Sequence, residues 1–138
     1  MRYLLDTNAV IALIDGSPRR VREELVRAEA ARHVIALSAV SLHELWYGVA
    51  KSARQAENTK RLELLLAGGF ECLAFDDEDA KTAGYLRGAL AKVGNPIGPY
   101  DVLIAAQALR RDAVLVTANE GEFARVKGLK WKNWAPNP

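Results

Sequence analysis

The chain has 138 residues, of which 50% are apolar and 26% charged, and its 19 Lys and Arg against 17 Asp and Glu leave a net charge of +2. A chain of this length and composition should be globular and soluble, with a core that needs neither disulfides nor a structural metal. The near-neutral balance neither demands nucleic acid nor excludes it, because a local patch matters more than the sum. The single cysteine, Cys72, excludes a disulfide within the chain. Lying in the apolar run Phe70 to Phe75, it reads as a small core residue in a reducing compartment. No secretory signal precedes Tyr3, and no apolar run approaches the roughly 20 residues needed to cross a membrane. The expectation is a cytoplasmic protein forming a single domain over residues 1–138.

Tyr3-Leu4-Leu5 is an apolar run suited to a buried strand, and Asp6-Thr7-Asn8 follows it at once. Ala9 to Ile14 reads as a short buried helix, stopped by Asp15-Gly16-Ser17-Pro18. Arg19 to Arg32 is an amphipathic surface helix with Val21, Leu25 and Ala28 on its apolar face. Val34 to Leu37 is the second strand. Ser38 and Ser41 are candidate caps for a helix whose Leu42, Leu45, Trp46 and Val49 form a stripe, with Glu44 off it. Arg54 to Ala67 continues as helix to Gly68-Gly69, and Phe70 to Phe75 is the third strand. Asp76 to Asp79 stands where acids cap a helix, here one from about Asp77 to Val93. Its Ala80, Gly84, Gly88 and Ala91 form a small-residue face for close packing on a neighbour. After a turn at 94–98, Pro99 opens a helix to Arg111 that is apolar nearly all round and so central. Ala113 to Val116 is the fourth strand and Leu129 to Trp134 a weaker fifth at the edge. Strands alternating with helices predict an α/β fold, a central parallel sheet of about five strands with helices on both faces.

Three carboxylates recur in related settings. Asp6 follows the first strand, Glu44 lies in the helix after the second, and Asp101 sits in the first turn of the buried helix. Each falls toward the carboxyl edge of the sheet, where open α/β folds bind ligands. Helix capping would account for Asp6 taken singly, and it is also available, less readily, for Asp101. Asp101 is the most informative, since it puts charge at the mouth of the greasy segment Val102-Leu103-Ile104-Ala105-Ala106. Thr117, Asn119, Glu120 and Glu122 lie just beyond the fourth strand. Two carboxylates about 5 Å apart repel by about 3 kcal/mol at an effective dielectric of about 20. Three such pairs approach the whole stability of a domain, so a proton or a cation must relieve them. Oxygen ligands select Mg²⁺ or Mn²⁺ over zinc, and neither His33 nor His43 has a zinc-like partner.

With these residues in order, the chain resembles the PIN-domain ribonucleases, and within them the VapC-type toxins of toxin–antitoxin pairs. The resemblance rests on Leu4-Leu5-Asp6-Thr7-Asn8, on Ser41 to Gly48 around Glu44, on Ile97 to Ala106 around Asp101, and on Val116-Thr117-Ala118-Asn119 with Glu122-Phe123 behind. It covers nearly the full length. It implies a PIN-like fold, Mg²⁺- or Mn²⁺-dependent cleavage of RNA, a homodimer, and a small cognate antitoxin that blocks the cleft. Asp6, Glu44 and Asp101 match the family's core acids. Where many relatives carry a fourth acid this sequence has Asn119, so the remaining ligand is left among Asn119, Glu120 and Glu122. Thr117 matches a hydroxyl position near the ion, and Asn8 is a further supporting candidate. Arg19, Arg20, Lys51, Arg54 and Lys92 are candidate phosphate contacts.

Two other readings compete. A haloacid-dehalogenase-like phosphohydrolase also places an Asp after its first strand, but wants a second Asp where Asn8 stands. A PIN scaffold that binds without catalysing is the other, and the three intact acids argue against it.

Overall fold

The computed structural model describes residues 1–136. Strands β1 (Arg2–Leu5), β2 (Val34–Ser38), β3 (Glu71–Leu73), β4 (Val114–Val116) and β5 (Trp131–Lys132) form one sheet in the order β3-β2-β1-β4-β5. Every pairing is parallel. Each inner strand is a short apolar run because both of its faces are covered. Tyr3, Leu5, Ile35, Leu37, Val114 and Val116 join one core layer, while Leu4, Ala36 and Leu115 join the other.

The first layer is closed by α1 (Thr7–Asp15), α2 (Arg19–Ala30), α3 (Ala39–Lys51) and α4 (Gln55–Leu66), which contribute Leu13, Leu25, Leu45 and Leu62. The second layer holds α5 (Asp77–Lys92), α6 (Pro99–Arg110) and the single turn α7 (Glu120–Phe123), through Leu90, Ile104 and Phe123. The α/β architecture with about five parallel strands is therefore as the sequence predicts. Among the described residues no helix is long and apolar enough to cross a membrane.

The expected caps divide. Ser38 accepts the Val40 N–H and starts α3, whereas Ser41 is a buried residue within α3 whose hydroxyl finds no partner among the described residues. Asp76 accepts the Asp79 N–H at 2.8 Å and Asp79 accepts the Asp76 N–H at 3.0 Å, a reciprocal cap on α5. Asp79 does more than cap. It is fully buried, and Arg110, Arg111 and Gln107 from the end of α6 all donate to its carboxylate, Arg110 at 2.6 Å. Burial pushes the Asp79 acid up, yet the Asp76 N–H, Gln107 and Arg110 outweigh it and hold the group below the usual carboxylate range.

Three packing expectations need correction. Cys72 is exposed rather than a core residue, because β3 is the outermost strand and its flank is left open. On α5 the residues Ala80, Gly84, Gly88 and Ala91 face solvent. The packed face is Asp79, Ala83 and Leu90, where a neutralised acid takes a place that apolarity alone would not assign to it. Trp46, read as part of the α3 stripe, is 38% exposed, while Leu45 is buried and Leu42 and Val49 pack against the core.

Candidate functional site

The sheet order reverses direction between β1 and β4, and ligand sites of open α/β sheets form at such a point. Asp6 and Thr117 stand there, each one residue past its strand. The Asp6 N–H continues the ladder to the Val116 carbonyl at 3.0 Å, which fixes where its side chain emerges. One carboxylate oxygen accepts the Ala9 N–H at 2.8 Å, so Asp6 does cap α1. The same residue is only 5% exposed, and burial pushes its carboxyl up. Hydrogen bonds from Thr117 and Ala9 oppose that shift, and the charge of Glu44 adds to it.

Glu44 is a half-buried residue of α3, standing beside the apolar stripe and not in it. Its Oε1 accepts the Thr7 hydroxyl at 2.8 Å, which ties α3 to the first residue of α1. Asp101 lies in the first turn of α6, behind Gly98 and Pro99. A methyl group on Gly98 would lie 3.0 Å from Asp101 Oδ2, so a side chain at that position would crowd the acid. Asp101 is pushed up to about 7, first by burial, then by its contact with Glu122, and then by the charges of Asp6 and Glu44. A carboxylic acid at that value is half protonated near neutral pH.

Of the residues left open beyond β4, Glu122 is the one in contact with Asp101. That contact lowers the Glu122 acid, against its own desolvation, and so do the Gly98 N–H at 2.9 Å, the Asn119 amide and the charge of Arg125. Asn119 thus reaches the site through Glu122, to which its side-chain amide donates. Glu120 is engaged elsewhere, accepting from Asn133 at 2.9 Å. Asn8 is exposed and lines a cavity together with Thr117. Sequence reasoning did not single out Thr7, Gly98 or Tyr100. Tyr100 is 45% exposed and the centre of its ring lies 5.8 Å from that of His43, so the residues just before Glu44 and Asp101 meet at the rim. The adjoining acids were the only available signal for that pair.

Asp6, Glu44 and Glu122 all raise the cost of charging Asp101. Among the described residues no group of three or more acid, imidazole or thiol side chains closes into a metal cage. Glu44 is drawn to Thr7 and Asp101 to Glu122 instead. The donor set is nevertheless all oxygen, and a carboxylic acid held near half protonation by its neighbours is what a hard divalent cation would discharge. The arrangement fits such an ion in chemistry and in charge.

The PIN domain family pattern matches residues 3–129 of the chain. A tRNA(fMet)-specific endonuclease VapC from Shigella flexneri is 36% identical over 135 residues, 98% of this chain and 99% of that protein. Ribonuclease VapC2 from Rickettsia felis is 37% identical over 134 residues, 97% of this chain and 98% of its own length. The crystal structure of VapBC2 from Rickettsia felis bound to a promoter DNA fragment matches with a TM-score of 0.91 at 36% identity, over 98% of this chain and all of that one. DNA-bound VapBC from Salmonella typhimurium matches with a TM-score of 0.89 at 34% identity, over 98% and 99%. Fold and likeness along its whole length agree, and this chain belongs to the PIN-domain family and, within it, to the VapC ribonucleases.

Proposed function

We propose that this VapC-type ribonuclease is an endonuclease that hydrolyses RNA phosphodiester bonds with Mg²⁺ or Mn²⁺ at the cleft of Asp6, Glu44 and Asp101. The observation that carries this reading is the charge coupling at Asp101, on which Asp6, Glu44 and Glu122 all act. Asp6 and Asp101 would hold the ion, with Glu122 beside them. When bound, the cation would supply Lewis acidity toward the phosphoryl group and acidify water. Thr117 and the Ala9 N–H keep the Asp6 carboxylate in one orientation. Glu44, oriented by Thr7, positions the attacking water and accepts its proton. The water oxygen forms a new bond to phosphorus as the bond to the leaving ribose oxygen breaks, and that oxygen takes up a proton from solvent.

Curated relatives are named as VapC, and solved neighbours are VapBC complexes, so the chain acts as the toxin of a toxin–antitoxin pair with a small cognate antitoxin. A homodimer and a cytoplasmic site of action belong to the same proposal. The test is a panel of structured and single-stranded RNAs incubated with Mg²⁺ or Mn²⁺, with chelator, and with Asp6→Asn. Cleavage in the metal arms alone, lost in Asp6→Asn, is the expected result. Folded, inhibitor-free protein that cuts nothing in any arm would overturn it and favour a binding scaffold.

A further inference from the structure

Four carboxylates around one cleft repel a polyanion, so an RNA strand needs cations within a few nucleotides of the cleaved bond. Two adjoining cavities next to Thr117 lead toward a group of them. A mostly apolar cavity of about 260 Å³ is lined at one side by Asn8 and by Thr117, the hydrogen-bond partner of Asp6, and further on by Asn133 and Trp134. Asn133 and Trp134 also line a second cavity, of about 380 Å³, so the two adjoin. The second is ringed by Arg20, Arg27, Lys132 and His33, with Glu24 its one carboxylate.

This basic pocket is organised by the chain. Arg20, Glu24 and Arg27 recur at helical spacing, so they share one face of α2, and Arg27 takes up Glu24 at 3.3 Å. Lys132 comes from edge strand β5, where its ammonium stands 5.9 Å from the centre of the Tyr3 ring. Tyr3 and Trp134, edge to face at 5.5 Å, are almost fully buried and form a stiff apolar floor below the cations. A buried floor with exposed cations above it suits a phosphate chain better than a stacked base.

We infer that the RNA strand leaving the acid cleft passes over Asn133 and Trp134 into this pocket, where Arg20 and Lys132 hold backbone phosphates flanking the cleaved bond. The inference rests on the ribonuclease reading above and adds a second, non-catalytic subsite to it. The subsite is blind to base sequence and sensitive to strand length.

The experiment compares wild type, Arg20→Ala with Lys132→Ala, and the charge-matched control Lys60→Ala with Lys81→Ala, whose residues are exposed on other helices. Fluorescence anisotropy in chelator measures binding of single-stranded oligoribonucleotides of about 4 and about 12 nucleotides. The pocket variant should bind the longer strand about tenfold more weakly, with the slope of log affinity against log salt reduced by about 1.4, while its metal-dependent cleavage of the shorter strand should match wild type. With metal present, KM for the longer strand should rise while kcat stays. The control should match wild type throughout. Equal weakening in the control, unchanged binding of the longer strand, or a loss confined to antitoxin binding would overturn the inference. Wild-type cleavage in the same assay reports separately on the nuclease reading, so either can fail alone. Should Lys132→Ala unsettle β5 in thermal unfolding, Arg20→Glu on exposed α2 repeats the comparison by itself.

Discussion

An acid meets each end of α6, in opposite circumstances: Asp79 of α5 at one end and α6's own Asp101 at the other. At its C-terminal end Asp79 is buried among Arg110, Arg111 and Gln107, and its acid is held low. At its N-terminal end Asp101 meets Glu122, Asp6 and Glu44, and its acid is pushed up to about 7. The residue type is the same and both are desolvated. The difference is whether cations come with the burial, so the first cluster stabilises the fold and the second costs stability until something positive arrives. Acids of the second kind mark functional sites more often than acids of the first.

Breaking the poorly compensated end should abolish activity without harming the fold. Asp101→Asn is expected to lower RNA cleavage by at least about 10³-fold, leaving the metal-free melting temperature equal to wild type or higher because one repulsive charge is gone. Cleavage assays beside thermal unfolding check both halves, and a collapse of the fold would instead return Asp101 to a capping role. Breaking the compensated end should do the reverse. Asp79→Asn removes charge from a buried hydrogen-bonded cluster and is expected to cost about 2 kcal/mol by denaturant unfolding. Metal-dependent cleavage by the protein that remains folded should be retained.

Glu122→Gln tests whether Glu122 belongs with Asp101. Roughly tenfold weaker metal affinity or activity is expected, as for other groups that support a metal ligand, while Glu120→Gln, whose partner is Asn133, should change either by less than about twofold. Titration gives the gentlest contrast. Folded Asp101 has a raised pKa, so it binds more protons than the unfolded chain between about 4 and about 7, and its contribution to metal-free stability falls as pH rises through that window. Asp79 and Glu122, held low, contribute stability above the usual carboxylate range and lose it as pH falls below that range. Melting curves in chelator should therefore decline from pH 5 to pH 8, and Asp101→Asn or added Mn²⁺ should flatten them. A wild-type curve already flat without metal would contradict the coupling at Asp101.

Much of this was legible because strands and acids obey local rules. Leu4-Leu5 before Asp6, and Val114 to Val116 before Thr117, announce a buried strand and then the polar edge of a parallel sheet. Asp101 at the mouth of an apolar helix is equally local. What escaped depended on who packs against whom. The α5 face was misjudged because Asp79 is buried only by virtue of Arg110 and Arg111, which lie about thirty positions away. Cys72 was misjudged because an apolar run does not reveal that its strand lies outermost. Glu120 and Glu122 are alike in the sequence, and only the turn of α7 gives one to Asn133 and the other to Asp101.

The shaft of α6 from Ile104 to Ala108, with Val102 ahead of it, is buried in the chain's second core layer. Asp101 rides on that shaft and has no loop to retreat along when it ionises. Assembly of the protein and arrival of the proposed ion should accordingly be separate events, with the helices already placed and only the Glu44 and Asp101 side chains left to turn from Thr7 and Glu122. Loading would then be paced by the ion shedding its own hydration, slow for Mg²⁺ and faster for Mn²⁺, and not by any movement of the backbone.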